Sequence, residues 1–186
     1  KAQQDRSRAG SQFGGVFVTD ALQVRAAVRD LPPKESQFIG YESLTSEARI
    51  KGLWDGKGWV MKAASGTSVG IVLDRSPFYG EAGGQVGDAG RIEGPKGRAD
   101  VAQTTWADDV LIHHATVREG TLSLQEPVRA SVDDERRLKV ARSHTAAHML
   151  HWALRKILGP EAVQAGSYVE TERVRFDFSS LTGLRE

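Results

Sequence analysis

From Gln37 to about Val132 the chain alternates short runs of β-branched, aromatic and aliphatic residues with clusters of turn residues. The runs are Phe38–Glu42, Ala48–Trp54, Trp59–Lys62, Val69–Leu73, Gly90–Glu93, Ala99–Trp106, Val110–Val117 and Val128–Val132. No stretch of helical period interrupts them. Asp55-Gly-Lys-Gly58 separates two of the runs and supplies glycines able to take positive φ, a hairpin signal. Many short strands with no helix to cover a sheet edge predict a small closed barrel, because closure itself removes the edge.

On both sides of this segment the pattern changes. Lys1 to about Gly15 is charged and rich in small residues, with Gly10, Gly14 and Gly15 as breakers, and is expected to fray. Leu22, Val24, Ala27, Val28 and Leu31 suit either a short helix or an irregular arm, stopped by Pro32-Pro33. After the barrel, Ser131-Val-Asp-Asp134 reads as a helix opening, with the Ser131 hydroxyl at the N-cap and acids in the first turn. A helix, or a pair of helices, then runs to Leu158 and stops at Gly159-Pro160. Ser143 is a candidate cap for a second helix beginning at the histidines. Ala147, Leu150, Leu154, Ile157 and Leu158 have core-facing helical spacing. Val163–Val169 and Glu172–Phe178 read as strands, the latter with Val174, Phe176 and Phe178 on one face. Three parts follow: residues 1–33 as a segment ahead of the barrel, 34–132 as a barrel, and 133–186 as the start of an α+β domain.

The 186 residues are 39% hydrophobic and 26% charged, ordinary for a soluble globular protein. A formal net charge of +1 falls well short of a strongly basic balance, so any RNA contact must be local. With no cysteine the chain builds no disulfide, no CxxC zinc ribbon and no thiol nucleophile. No apolar run has membrane-spanning length and no signal-type core opens the chain, which makes a cytoplasmic location the expectation. The polar start without Met and the helix-like Leu181–Glu186 suggest a piece of something longer.

The chemistry concentrates in Arg142-Ser-His-Thr-Ala-Ala-His-Met-Leu-His151, which holds three of the five histidines. On a helix His144, His148 and His151 project within roughly 60° of one another. They border the apolar set above. Imidazoles at i and i+4 can reach one zinc ion, which takes four ligands at about 2.0–2.1 Å. They can equally be half-buried histidines hydrogen-bonded to their surroundings. A metalloprotease needs Glu directly after the first His, and Thr145 stands there, which disfavours that reading. His113 and His114 are adjacent in an alternating run, point to opposite faces of a strand and read as structural. Gly83-Gly-Gln-Val-Gly-Asp88 is the least strand-like part of the barrel region: either a barrel corner or a loop lying against a site. Arg136, Arg137, Lys139 and Arg142 form either a solvated face balanced by Asp133, Asp134 and Glu135 or a phosphate contact.

The run from Arg136 to Arg155, followed by Val163-Gln-Ala-Gly-Ser167 and Val174-Arg-Phe-Asp-Phe-Ser179, closely resembles the editing domain of alanyl-tRNA synthetases. Pro77-Phe-Tyr-Gly-Glu-Ala-Gly-Gly-Gln-Val-Gly-Asp88 resembles that family's glycine-rich barrel segment, and the resemblance extends more weakly from about Ser11 to the end. It implies a mainly β fold with an α+β part: a small β-barrel of the translation-protein type, then the N-terminal part of a threonyl/alanyl-tRNA synthetase-like editing domain. It implies a parent enzyme that attaches alanine to tRNA-Ala with ATP and magnesium in a catalytic domain outside this sequence. The region in hand would belong to the module that hydrolyses mischarged seryl- and glycyl-tRNA-Ala. Such editing is needed because a pocket for a small side chain cannot strongly reject glycine or one added hydroxyl by binding alone.

By the same resemblance, zinc sits between an HxxxH pair, here His144 and His148, and a later Cys-x-x-x-His that does not occur in this sequence. Gln164 matches a polar, catalytic position of the editing pocket. Gly83, Gly84, Gln85, Arg142 and Thr145 would contact substrate or the tRNA end. The position before the second His, commonly Thr in the family, is Ala147, which removes one hydroxyl contact. The alternatives are a freestanding alanyl-tRNA editing protein of the same superfamily and a non-catalytic RNA-binding barrel. The segment ahead of the barrel favours the synthetase.

Overall fold

The computed structural model describes residues 36–180. The expected fraying at Lys1–Gly15, the helix or arm at Leu22–Leu31 and the helix-like Leu181–Glu186 lie outside the described residues. Among the described residues eleven strands and one helix follow in order: β1 (Gln37–Phe38), β2 (Thr45–Trp54), β3 (Lys62–Ala64), β4 (Ser68–Leu73), β5 (Arg75–Ser76), β6 (Gly90–Gly94), β7 (Gly97–Ala107), β8 (Val110–Ser123), β9 (Pro127–Val132), α1 (Asp134–Leu158), β10 (Gln164–Val169) and β11 (Val174–Phe178).

Six antiparallel strands close into a barrel in the order β8-β4-β2-β9-β6-β7, with β7 returning to pair with β8. The 14-residue β8 makes closure possible. It pairs with β7 along nearly its whole length, with β4 through Ile112–Thr116, and with β3 through Thr121–Ser123. Strict alternation sets the inside: β2 buries Ser46, Ala48 and Ile50 and exposes Thr45, Glu47 and Arg49. Ile50, Leu53, Ile71, Leu73, Ile92, Leu111, Val117 and Leu122 fill the interior. Register shifts at Ile50/Gly52, Arg98/Ala99 and Val101/Gln103 supply the bends that curl so small a sheet.

The Asp55–Gly58 turn forms as expected: Asp55 Oδ1 accepts from the backbone N–H groups of Lys57 and Gly58, both at 2.9 Å, and Gly56 has φ +95°. It leads from Trp54 to a single bridge at Trp59, with regular strand resuming only at Lys62. The two indole rings meet edge to face at 5.2 Å in a small second cluster, which occupies Trp59 instead of a longer ladder. The run expected at Phe38–Glu42 is strand only at Gln37–Phe38. It then turns at Gly40, where the chain lies against the Pro77 carbonyl.

The cap of α1 is Asp133, not Ser131: its Oδ1 accepts from the Arg136 N–H at 2.9 Å. Ser131 is committed to β9, opposite Thr45 on one side and Arg91 on the other, so ladder pairing decides where the helix starts. A second helix does not begin at Ser143, because α1 runs unbroken to Leu158 and ends, as expected, at Gly159 with φ +97°. The antiparallel pair β10–β11 packs on it. Only Val140 and Ala147 of α1 are buried, against Val86 and Val169, with Tyr168 and Val174 alongside. Of the apolar set read from spacing, Ala147 is therefore in the packed face and Leu154 and Leu158 are half-buried, whereas Leu150 and Ile157 lie outside it, 45% and 81% exposed. Two strands cover one side of the helix, and that side holds Val140, Ala147, His144 and His151, with His148 exposed at its edge.

Candidate functional site

The site forms where the barrel's glycine segment, α1 and β10 meet. Ala82-Gly83-Gly84-Gln85 is a two-residue hairpin, with Gln85 N–H on the Ala82 carbonyl at 2.9 Å and Ala82 N–H on the Gln85 carbonyl at 3.2 Å. Gly83 and Gly84 take φ +60° and +82°, the positive pair a type I′ turn requires. The segment then joins β10 in parallel. Val169 N–H donates to the Gly84 carbonyl at 2.8 Å, and Val86 N–H to the Val169 carbonyl at 3.1 Å. A Cβ at Gly84 would overlap the Ser167 carbonyl. The segment stays bridged to β7 at Glu81–Thr105 and meets the hairpin through one parallel bridge, Gln85–Val169.

Three residues past Gln85, the carboxylate of Asp88 is almost wholly buried, 3% exposed, and forks onto Arg137 of α1. Arg137 Nε lies 3.0 and 2.8 Å from its two oxygens, and Nη2 also bonds Oδ2. Asp88 Oδ2 further accepts from the Tyr79 N–H at 2.8 Å. The rest of the guanidinium donates to the Gly40 carbonyl at 3.1 Å and the Pro77 carbonyl at 2.9 Å. Arg136 donates to the Gly87 carbonyl at 3.2 Å. Two members of the basic cluster thus tie the helix to the barrel, and a third, Lys139, pairs with Glu135 at 2.7 Å on the exposed side. Charge-run spacing could not separate these roles, since the partners of Arg136 and Arg137 lie some fifty residues away or more.

Above this clamp His144 and His148 face each other with Nε2 atoms 2.9 Å apart. Two ligands of a tetrahedral zinc lie about 3.3 Å from one another, so the pair fits half a zinc shell after a small opening. Among the described residues no third His, Cys, Asp or Glu joins them. His144 Nδ1 meets Gln85 Oε1 at 2.6 Å. His151, the third of the stripe, instead packs 5.2 Å from the Phe176 ring, and its buried Nε2 finds no hydrogen-bond partner among the described residues.

His113 is fully buried in the barrel, with Nδ1 2.8 Å from the Ile71 carbonyl and Nε2 2.7 Å from Ser76 Oγ. Burial pushes its pKa down to about 4, against a partial upward pull from the Ile71 carbonyl. His114 faces the other way, onto Thr105 Oγ1 at 2.7 Å, and burial lowers its pKa too. Both are structural, as their alternation implied.

Residues 1–136 match the family described as tRNA synthetases class II (A). The chain belongs to that family. This synthetase chain is also similar to curated relatives well beyond residue 136. It is 44% identical over 180 residues to the alanine–tRNA ligase of Thermus thermophilus, with 95% of the chain and 20% of the relative covered. It is 41% identical over 178 residues to the alanine–tRNA ligase of Roseiflexus sp., covering 95% and 19%. With that of Chromohalobacter salexigens it shares 42% over 185 residues, covering 99% and 20%. The chain spans about a fifth of the length of these relatives.

The remaining expected site residues of the synthetase chain fall in two places. Gln164, at the start of β10, donates from Nε2 to Ser167 Oγ at 3.0 Å, and Ser167 Oγ donates to the Gly83 carbonyl at 3.4 Å. It is joined to the glycine turn, not directly to the histidines. Thr145 and Arg142 are exposed on α1, with the Thr145 hydroxyl returned to the Ala141 carbonyl at 3.0 Å. An open apolar patch of Met149, Leu150, Trp152 and Ala153 lies beside His148 on α1. The Asp88–Arg137 clamp and the Gln85–His144 bond were not foreseen. Their one sequence signal is an acid closing the glycine segment and an arginine inside a charge run.

Proposed function

We propose that this chain is part of an alanine–tRNA ligase and carries the barrel and the first part of its editing domain. The parent enzyme would join alanine to tRNA-Ala with ATP and magnesium in the cytoplasm, and the region in hand would act on mischarged seryl- and glycyl-tRNA-Ala. Residues 1–33 would end a connecting segment, 34–132 form the barrel, and 133–186 open the editing domain. The printed activity of the relatives supports the first part of this reading. That residues 1–33 lie within the family match supports a synthetase over a freestanding editing protein.

The observation that carries the editing reading is the His144–His148 pair: two Nε2 atoms 2.9 Å apart on the face of α1 turned to the glycine turn and the hairpin. In this reading His144 and His148 hold zinc, which when bound would polarise the ester or a water. Gln164, on the hairpin, would orient substrate or water from its amide. Gly83, Gly84 and Gln85, with Thr145 and the exposed Arg142, would line the approach of the tRNA 3′ end. Gly83, with open space where a side chain would stand, would leave room there for a close-approaching phosphate or ribose.

The test is His144→Ala and His148→Ala in the full-length protein. Each is expected to lose zinc together with hydrolysis of seryl-tRNA-Ala, because removing one ligand both weakens and opens a metal site, while ATP-dependent alanylation persists. His151→Ala should be milder. Full zinc occupancy and unchanged deacylation in either ligand variant would overturn the assignment.

A further inference from the structure

We infer that Gln85 is a positioning residue for His144: it fixes which ring nitrogen of His144 carries the proton, and so aims the lone pair of Nε2 at His148 and at any ion the pair holds. The inference rests on the reading of His144 and His148 as metal ligands only for its second arm below.

A neutral imidazole has one N–H donor and one acceptor nitrogen, and a side-chain amide oxygen only accepts. Gln85 Oε1 at 2.6 Å from Nδ1 therefore requires the proton on Nδ1. The lone pair is then left on Nε2, the atom 2.9 Å from His148 Nε2. In the metal-free pair His148 must be the donor, with its proton on Nε2. A carbonyl-type oxygen on the far nitrogen of a ligating histidine also orients the ring and raises its basicity, and losing such a partner costs about 10–100-fold in metal affinity.

The arm that carries Gln85 is held rigidly. The I′ turn fixes its near end, and parallel pairing of Gly84 and Val86 with Val169 fixes its flank. Asp88, three residues on, is clamped by Arg137, which stands seven residues, close to two full turns, before His144 on α1. One ion pair thus anchors both elements whose side chains meet in the Gln85–His144 bond. Gly84 is needed for the same placement, because any side chain there would strike the Ser167 carbonyl and lift the arm. The glycine segment accordingly has a task on the protein side of the site, whatever else approaches it.

The deciding experiment is nitrogen-resolved NMR of the imidazoles in the metal-free 186-residue chain, followed across a pH series. His144 is expected to carry its proton on Nδ1. Gln85→Ala and Gln85→Leu should give a mixture of tautomers, with the barrel amide spectrum unchanged, and Gln85→Glu, whose carboxylate also accepts, should restore Nδ1–H. In the full-length protein, zinc affinity should fall about 10–100-fold in Gln85→Ala and recover in Gln85→Glu. An Nε2-protonated His144 in the unsubstituted chain, or a tautomer indifferent to Gln85→Ala, overturns the inference. Tautomer control by Gln85 in a parent protein that holds no zinc upholds the positioning role and removes the zinc assignment instead.

Discussion

At the residue scale, His113 shows how a barrel can use a titratable group as core. Its Nδ1–H donates to the Ile71 carbonyl and its Nε2 accepts from the Ser76 hydroxyl, which itself accepts the Phe78 N–H. Every polar atom is satisfied only while the ring is neutral. With a folded pKa of about 4 against about 6.5 when unfolded, the unfolded chain binds the extra proton between those values. Stability from this group is therefore complete above pH 6.5 and is lost as pH falls toward 4, by roughly 3 kcal/mol in all. Urea denaturation at pH 7 and pH 4.5 should show the drop, and NMR should find His113 still neutral at pH 5.5. A ring already charged at that pH would contradict the buried placement. Gly84 offers the second test at this scale. Gly84→Ala, strained at φ +82° and overlapping Ser167, should cost about 1–3 kcal/mol and raise hydrogen exchange at Val86 and Val169. Unaltered exchange there would mean that the arm does not depend on the glycine.

At the scale of elements, α1 shows where sequence reasoning stops. Its existence, its end at Gly159 and its acidic first turn were legible, because they depend on neighbours within a few residues. Its cap was not, since Ser131, Asp133 and Asp134 are all competent and only the β9 ladder removes Ser131. Its packed face was legible only in part, at Ala147. The apolar set chosen by spacing is wider than the two-stranded sheet can cover, so Leu150 and Ile157 stay outside while Val140 joins Ala147 in the packed cluster. The basic residues were legible only as a cluster, because the charge pattern does not say that Arg137 is 19% exposed and enclosed by Asp88, Gly40 and Pro77. Breaking that pair has a definite expected cost. Arg137→Met leaves a buried carboxylate with one backbone partner, and should destabilise the helix–barrel junction by about 3–5 kcal/mol. Asp88→Asn keeps a hydrogen-bonding group and should cost less, and the double variant should recover part of the loss. Additive effects in that cycle would show that the two side chains do not act as a unit.

For the molecule as a whole, the closed barrel was the most legible feature, because a period-2 pattern repeated without a covering helix has few other ways to hide its edges. The site was half legible. The HxxxH spacing brings His144 and His148 together through the helix alone, whereas Gln85 reaches them only through the folded junction of three elements. That same geometry sets an expectation for the 186-residue chain taken by itself. Two imidazoles fill half of a four-coordinate shell, and no thiolate or carboxylate among the described residues adds the negative charge that holds a divalent ion firmly. Zinc should bind this chain far more weakly than a full-length protein carrying four ligands, and deacylation of seryl-tRNA-Ala should be undetectable. On the outer side of α1, Met149, Trp152 and Ile157 are 67%, 66% and 81% exposed, and among the described residues the β10–β11 pair is extended only by the single bridge to the glycine arm. Exposed apolar surface on this scale tends to recruit a partner. The isolated chain should therefore self-associate through its C-terminal part, with the barrel unchanged, and Trp152→Lys with Ile157→Lys should return it to the monomer. One tightly held zinc per monomeric chain, together with measurable hydrolysis of seryl-tRNA-Ala, would overturn both halves of that expectation at once.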